Sequence, residues 1–311
     1  MLQWQKTYEQ LTEVSRLMIE FHADDYGLFI AQSKRILNCK TKGCLNGTSI
    51  IPNGRELDSC LSLLSGHNLL LTVHLNLMQG HCLSQPEDVS LLVDSSGIFH
   101  IRFSQLLFSP ITGKYSSYKS QLKKELSAQI DRLLPYLEQN RVPLRLDGHA
   151  HWHMIPVVFD ALMEVIEEKH YPVTYIRIPA EPVGLYFRNL LKIIPFPVIN
   201  IIKTLLLRLL AHRNCRKWSS VLSRLEHKAF LGVLLSGCFD LRRMSAILSD
   251  AVQYARKKSI GLEILAHPGS VQEPADIAQI TNRSDLLFFS SSARELEADS
   301  LINLGTYITT D

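Results

Sequence analysis

Leu144–Ile166 reads LRLDGHAHWHMIPVVFDALMEVI, and the change of character within this stretch decides how the whole chain is read. A short strand candidate, Leu144 to Asp147, breaks at Gly148 into a polar segment. Pro156 then stands where a helix can start, since the N–H it lacks is one that a first helical turn leaves unpaired anyway. Behind it Phe159, Leu162 and Ile166 recur at helical spacing. A strand, a polar turn and a helix make one βα unit, and the pattern recurs on both sides.

Upstream, Arg16 to Ala23 is a strand candidate that runs into Asp24-Asp25-Tyr26-Gly27, and Thr48 to Ile51 is a second, followed by Pro52, Asn53 and Gly54. Leu69 to Leu77 is a third. Leu122, Leu126, Ile130, Leu133, Leu134 and Leu137 follow helical spacing after it. Downstream come strand candidates at Val173 to Ile178 and Leu262 to Ala266. Alternating strands and helices predict an α/β fold on a parallel sheet rather than a sandwich. At 311 residues the chain fits one domain, 1–311, because α/β barrels reach that size as single units. Between 182 and 230 strand and helix signals overlap, and a helical insertion is expected there.

A hydrophobic fraction of 46% with 20% charged residues is that of a globular protein with a sizeable core. The net charge of +3 is too small to argue for a nucleic-acid partner. Six cysteines without a CxxC pair read as reduced thiols. The first twenty residues, which include Glu9, Glu13 and Glu20, lack the apolar core of a secretory signal, so a cytoplasmic setting is expected. Leu190–Leu210 is strongly apolar, but Lys192, Lys203 and Arg208 interrupt it and Pro195 and Pro197 break its start. A membrane span needs about 20 nearly uncharged residues, so no membrane partner is expected. From Val198 onward Ile201, Ile202, Leu205 and Leu209 recur at helical spacing, which predicts an amphipathic helix against the core. A dimer contact or a cover over the site is the alternative.

The chemistry-bearing residues follow the strand candidates: Asp24 and Asp25 after the first, His74 and Asn76 in the third, His149 after Leu144–Asp147, and His267 after the last. In barrels and open α/β sheets, side chains at the carboxyl ends of different strands share one pocket. Asp24 and Asp25 are neighbours and would point to opposite faces of a regular strand, so both reach one pocket only if the strand ends there. Gly27 permits such an ending. Asp147, His149, His151 and His153 alternate and would line one face of an extended segment. A carboxylate and three imidazoles are costly to bury unpaired, whereas a divalent metal uses such groups as ligands and as their supports. Not every one of these histidines can bind one metal that also leaves a position open for water.

Four motifs, in this order, resemble those of the YdjC-type carbohydrate deacetylases, which include the chitooligosaccharide deacetylases. They are HADDYG (22–27), HLNLMQG (74–80), LDGHAHWHMIP (146–156) and AHPG (266–269). The resemblance implies a distorted (β/α) barrel, often dimeric, that removes an acetyl group from an N-acetylated sugar. It implies Asp24 as catalytic base, Asp25, His74 and His149 as metal ligands, and His267 as an aid to proton transfer. His151, His153 and Arg177 are candidates for substrate contact. Mg²⁺ is the metal the resemblance suggests, while one carboxylate with two imidazoles also suits Zn²⁺. His22 stands where the family usually has Asn, Gly148 where it has Ser and Met78 where Thr is common; none of these removes a ligand. Arg294-Glu295-Leu296 is only loosely similar to the family's closing helix and receives no role. Two rivals remain. Another barrel metal hydrolase, a phosphoesterase or an amidohydrolase, would usually show a second metal's ligands about 4 Å from the first. A catalytically idle sugar-binding protein would have no need of a base beside a metal.

Overall fold

A computed structural model describes residues 19–309 apart from 279, 281 and 282. Seven strands form one sheet: β1 Ile19–Tyr26, β2 Gly47–Ile50, β3 Leu70–Leu75, β4 Leu144–Gly148, β5 Val173–Ile176, β6 Lys228–Leu231 and β7 Gly261–Ala266. Their spatial order is β5-β4-β3-β2-β1-β7-β6, with every pairing parallel. The sheet curls until its edges meet at one parallel bridge, Tyr175 with Glu226, where the Glu226 amide donates to the Thr174 carbonyl at 2.9 Å. The result is a distorted (β/α) barrel, as expected. Six strands match the sequence reading to within a few residues, although Arg16–Met18 of the first candidate lie outside the described residues. β6 falls in the stretch where strand and helix signals overlapped.

The principal helices are α1 Ile30–Lys42, α2 Tyr115–Gln139, α3 Pro156–Lys169, α4 Val198–Lys217, α5 Leu241–Lys258 and α6 Ala293–Thr309. α2 packs along α3, and their Leu122, Leu126, Ile130 and Phe159 are fully buried in the main core. That core lies between the sheet and its helices, because each strand sends one face of alternating side chains outward, such as Phe21 and Ala23 of β1 or Leu71 and Val73 of β3. The opposite faces point into the barrel and are polar. Glu20, His22 and Asp24 of β1, His74 of β3, Arg145 and Asp147 of β4, and Glu263 of β7 are all buried there. Arg145 Nη2 donates to both Glu20 carboxylate oxygens at 2.8 and 2.7 Å, and Lys228 pairs with the same group.

α4 corrects the sequence reading. The helix forms, but Ile201, Ile202, Leu205 and Leu209 face outward, and its buried side chains include Asn200, Thr204, Leu207 and Asn214. The polar members are buried because each has a partner. Asn200 Nδ2 donates to the carbonyls of Leu234 and Ser236, Thr204 to Glu181, and Asn214 to the Met154 carbonyl. The carboxyl end of α4 is tied to α3 through Asp160, which accepts from Arg213 at 2.7 and 2.8 Å, from Lys217 at 2.8 Å and from the Trp218 indole at 2.7 Å. Tyr115 also donates to it. Burial opposes ionisation of Asp160, but these donors outweigh it and hold the carboxyl below its ordinary 3.8.

Asp160→Asn is therefore expected to lower the unfolding free energy by about 1–3 kcal/mol at neutral pH, the usual loss for a buried charge-assisted network. Because the folded pKa is depressed, the contribution is present above the unfolded value and is lost as pH falls through the folded one. Denaturant unfolding at several pH values should show the gap between the two proteins narrowing below about pH 4. A gap that holds constant to acid pH would mean that the carboxylate's charge is not what ties α4 down.

Candidate active site

β1 brings both aspartates to one place by bulging rather than by ending. Its register against β2 shifts between Ala23 and Tyr26, and Asp25 itself takes a left-handed backbone with φ 73°. Asp is among the residues that tolerate this region, and such outliers persist where the surroundings over-determine them. Here Thr48 Oγ1 donates to the Ala23 carbonyl at 2.8 Å, the Ile51 amide to the Tyr26 carbonyl at 2.9 Å, and the Gly27 amide to Ser33 Oγ at 3.1 Å. Asp24 continues the inward series of Glu20 and His22, and Asp25 is turned round to join it.

His74 on β3 reaches the same point. Its Nδ1 lies 2.6 Å from Asp147 Oδ1, which puts the proton on Nδ1 and leaves the Nε2 lone pair free. That Nε2 lies 3.7 Å from Asp25 Oδ1 and 3.8 Å from Asp24 Oδ2. His149, just past β4, places Nδ1 2.9 Å from Asp25 Oδ1. Asp25, His74 and His149 thus present three buried ligand atoms within 4.8 Å of one another. His74 Nε2 has no hydrogen-bond partner and Asp25 Oδ1 has only the contact with His149 Nδ1, and buried polar atoms are rarely left so without a reason. One carboxylate and two imidazoles around such a gap are a donor set that fits a divalent cation. Burial disfavours the His74 imidazolium, but the Asp147 and Asp24 carboxylates outweigh it and raise its pKa to about 10.

A second group, His22, Asp24 and Asp147, is equally compact but its atoms are engaged. His22 bonds Glu20 and Ser49 at 2.7 Å each, Ser49 Oγ donates to Asp147 Oδ2 at 2.5 Å, and Arg177 Nη1 lies 2.8 Å from Asp24 Oδ2 and 2.7 Å from Asp147 Oδ2. The guanidinium already supplies the positive charge there. Burial would raise the Asp24 carboxyl, yet Arg177 and His74 hold it below its usual range. Arg177 itself is fully buried, with Nε donating to Glu263 at 2.6 Å. It lies beneath Asp24 and does not line the cavity, so the expectation of direct substrate contact gives way to a positioning place.

Arg294, to which the sequence reading gave no role, closes the site from α6. It donates to Asp25 Oδ2 at 3.2 and 3.3 Å and to the Gly269 carbonyl at 2.8 Å, and its guanidinium lies over Phe288 and Phe289. Its neighbour Glu297 accepts from the His267 amide at 2.6 Å. Their only sequence signal was the loose similarity of Arg294-Glu295-Leu296 to the family's closing helix.

Asp24, Asp25, His74 and His149 form the floor of a cavity of ≈ 420 Å³, of the size that takes a small ligand. His151 and His267 also line it, and Met78, Phe103, Trp152, Leu206 and Phe288 supply apolar wall. The histidine run is not extended. Ala150 and His151 adopt left-handed backbones with φ 47° and 61°, so the segment turns and His153 folds away, its Nε2 2.9 Å from the Arg177 carbonyl. Burial pushes the His153 imidazole down to about 4. His153 therefore lies against β5 rather than at the cavity surface, a second departure from the expected substrate contacts. Gly148 is required by this fold: a Cβ there would lie 2.8 Å from His153 Nδ1 and 3.0 Å from its Cβ. Gly148→Ser, which restores the family's usual residue, is expected to destabilise the protein by about 1–3 kcal/mol through overpacking. Denaturant midpoints unchanged by the substitution would show that His153 has room to move.

Comparison with known proteins bears on the same elements. A solved structure from Enterococcus faecalis V583, of a proposed cellobiose-phosphate cleavage protein, superposes with a TM-score of 0.64 at 16% identity over 95% of each chain, which shows a shared fold. Among curated proteins, a carbohydrate deacetylase of Danio rerio is 28% identical over 54% of this chain and 51% of its own length, and one of Xenopus laevis 29% over 55% and 53%. A chitooligosaccharide deacetylase of Yersinia enterocolitica is 26% identical over 54% of this chain and 63% of its own. The chain spans about half the length of the first curated relatives it matches. The family model described as YdjC-like protein matches residues 18–303, which takes in all seven strands and the residues around the cavity, and the chain belongs to that family.

Proposed function

We propose that the protein is a metal-dependent carbohydrate deacetylase that hydrolyses the N-acetyl group of acetylated sugars or oligosaccharides and releases acetate. The observation that carries this reading is the convergence of Asp25 Oδ1, His149 Nδ1 and the unpartnered His74 Nε2 within 4.8 Å, beside a second carboxylate on a cavity floor. Asp25, His74 and His149 are the proposed ligands. A divalent ion held by these residues would supply positive charge to the amide carbonyl oxygen and would lower the pKa of the attacking water. Mg²⁺ is the ion suggested by the family likeness, and Zn²⁺ the one suggested by the imidazoles.

Asp24 is the proposed base. Held below its ordinary pKa, it is ionised at neutral pH and can accept the proton of the attacking water. Arg177 fixes it by donating to both of its oxygens, at 3.0 and 2.8 Å. His267 lines the cavity with its Nδ1 3.8 Å from Glu297 Oε2 and is the proposed donor of a proton to the departing amine. His151 faces the same space and is the histidine of the run proposed to touch the sugar. Two observations weigh against the rivals. The carboxylates a second metal would need are taken up by Arg177, and an idle sugar-binding protein would have no use for an oriented, ionised Asp24 beside a metal site.

Asp24→Asn should keep its metal and lose roughly 10²- to 10⁴-fold in rate, the usual share of a general base. Asp25→Ala and His149→Ala should instead lose the metal. Elemental analysis of each variant separates the two roles, and an empty Asp24→Asn beside a full Asp25→Ala would exchange them. The substrate class is tested by acetate release from N-acetylated chito-oligosaccharides and a panel of N-acetyl sugars. Metal-loaded protein that frees no acetate from any of them would sink the deacetylase reading.

A further inference from the structure

α4 exposes a row of aliphatic side chains, while its buried face mixes Leu207, Leu210 and Ala211 with polar residues. Asn200, Thr204 and Asn214 are buried with hydrogen-bond partners, while Val198, Ile202, Leu205 and Leu209 stand 72%, 58%, 56% and 66% exposed. The segment before it in sequence also exposes large apolar side chains, Leu191 at 86% and Phe187 at 74%. Single exposed leucines are ordinary, but a contiguous row of large aliphatic side chains marks a surface that meets an apolar phase.

Charge says which phase. Between Val183 and Leu225 the sequence holds eight Lys and Arg residues and no Asp or Glu. The chain as a whole is only +3, so the remainder of the molecule is net acidic. Arg213 and Lys217 are spent on Asp160, whereas Arg188, Lys192, Lys203 and Arg216 form no ion pair with a carboxylate among the described residues. A second copy of the chain is a poor occupant of this face, because an isologous contact would set two such basic surfaces against each other. An anionic bilayer satisfies both features. Aliphatic side chains enter the boundary between headgroups and acyl chains, and the cations meet lipid phosphates. No helix is long and apolar enough to cross a membrane, so the attachment lies on the surface.

We propose that the exposed face of α4 and the segment leading into it dock the protein on an anionic lipid bilayer. Lys203, Leu206 and Leu207 of the same helix line the cavity, so docking sets the cavity beside the lipid surface. The surface, not the reaction, is at issue, and the inference stands apart from the deacetylase reading. The test is co-sedimentation of the full chain with phosphatidylcholine vesicles and with vesicles that also contain phosphatidylglycerol. Binding is expected to the anionic vesicles, to weaken as salt rises, and to be much weaker on phosphatidylcholine alone. The double variant Ile202→Asp with Leu205→Asp should lose about tenfold or more in vesicle affinity while melting like the parent. If that variant is misfolded, Lys192→Glu with Arg216→Glu, which leaves the aliphatic row intact, should still weaken binding to anionic vesicles. Absence of binding to either vesicle overturns the proposal. So does an analytical-ultracentrifugation dimer that bars vesicles and is broken by Leu205→Asp, which would give the face to a second copy.

Discussion

The buried guanidinium of Arg177 is the group on which the rest of the barrel depends. A lone cation in a protein interior is strongly unfavourable, and it is tolerated only with excellent geometry and full pairing. Arg177 answers it with ion pairs to three carboxylates from three strands: Asp24 of β1, Asp147 of β4 and Glu263 of β7. Just beyond β5, it ties the β5–β4 side of the sheet to the adjacent pair β1 and β7, from which β3 and β2 separate it. Beneath it Glu20 is shared by Arg145 and Lys228, and both cations sit over the Tyr175 ring at 4.7 and 4.8 Å. The barrel is thus filled by paired charges where many barrels carry aliphatic layers. Removing one partner would leave the others buried and unmatched, so the network holds strand positions tightly.

That rigidity reaches the cavity through Asp147. One of its oxygens meets Arg177 and Ser49, and the other meets His74 Nδ1. The bond to His74 selects the tautomer that frees Nε2, and the bond to Arg177 keeps Asp147 ionised against the penalty of burial. Arg177 in the same way orients Asp24, while Arg294 does so for Asp25 from the far end of the chain. The two adjacent aspartates have different cationic partners. Asp24 has both oxygens tied to a guanidinium from below, whereas Asp25 has one oxygen held by Arg294 and turns the other toward His149 and His74. This difference is the physical basis for giving them different roles.

Much of this was legible before the structure. The βα grammar and the polar residues at strand ends lead to the barrel and to the residues that converge on its cavity. The interior was harder to see. Strands buried on both faces usually read as continuous apolar runs, yet Glu20, His22 and Asp24 alternate with Phe21 and Ala23, and Arg145 and Asp147 with Leu144 and Leu146. In a strand taken as half-exposed, that pattern reads as a solvent face. In a closed parallel sheet it means a polar interior, and closure is a tertiary fact that a local window does not contain. The same gap explains α4: the row of Ile and Leu was seen, but burial of Asn200 and Asn214 is decided by carbonyls of Leu234 and Met154, distant in sequence. Arg294 was missed for the same reason, since its partner Asp25 lies 269 residues away.

The departures from the family's usual residues are matched to their surroundings in this chain. His22, standing where Asn is usual, bridges Glu20 and Ser49 and so links the lower ion pairs to Asp147. Its ring needs space that β2 provides through Gly47, where a Cβ would lie 2.6 Å from His22 Nδ1 and 2.4 Å from Glu20 Oε1. Gly148, standing where Ser is usual, gives His153 the room in which to fold against Arg177's carbonyl. In both cases a larger or more polar group in the interior faces a glycine on a neighbouring strand or turn. Since packed interiors respond to changes of even one methylene, each pair acts as a unit. His22 with Gly47 and His153 with Gly148 lie below the cavity floor, so they bear on how firmly Asp24, Asp147 and Arg177 are held rather than on what the cavity accepts.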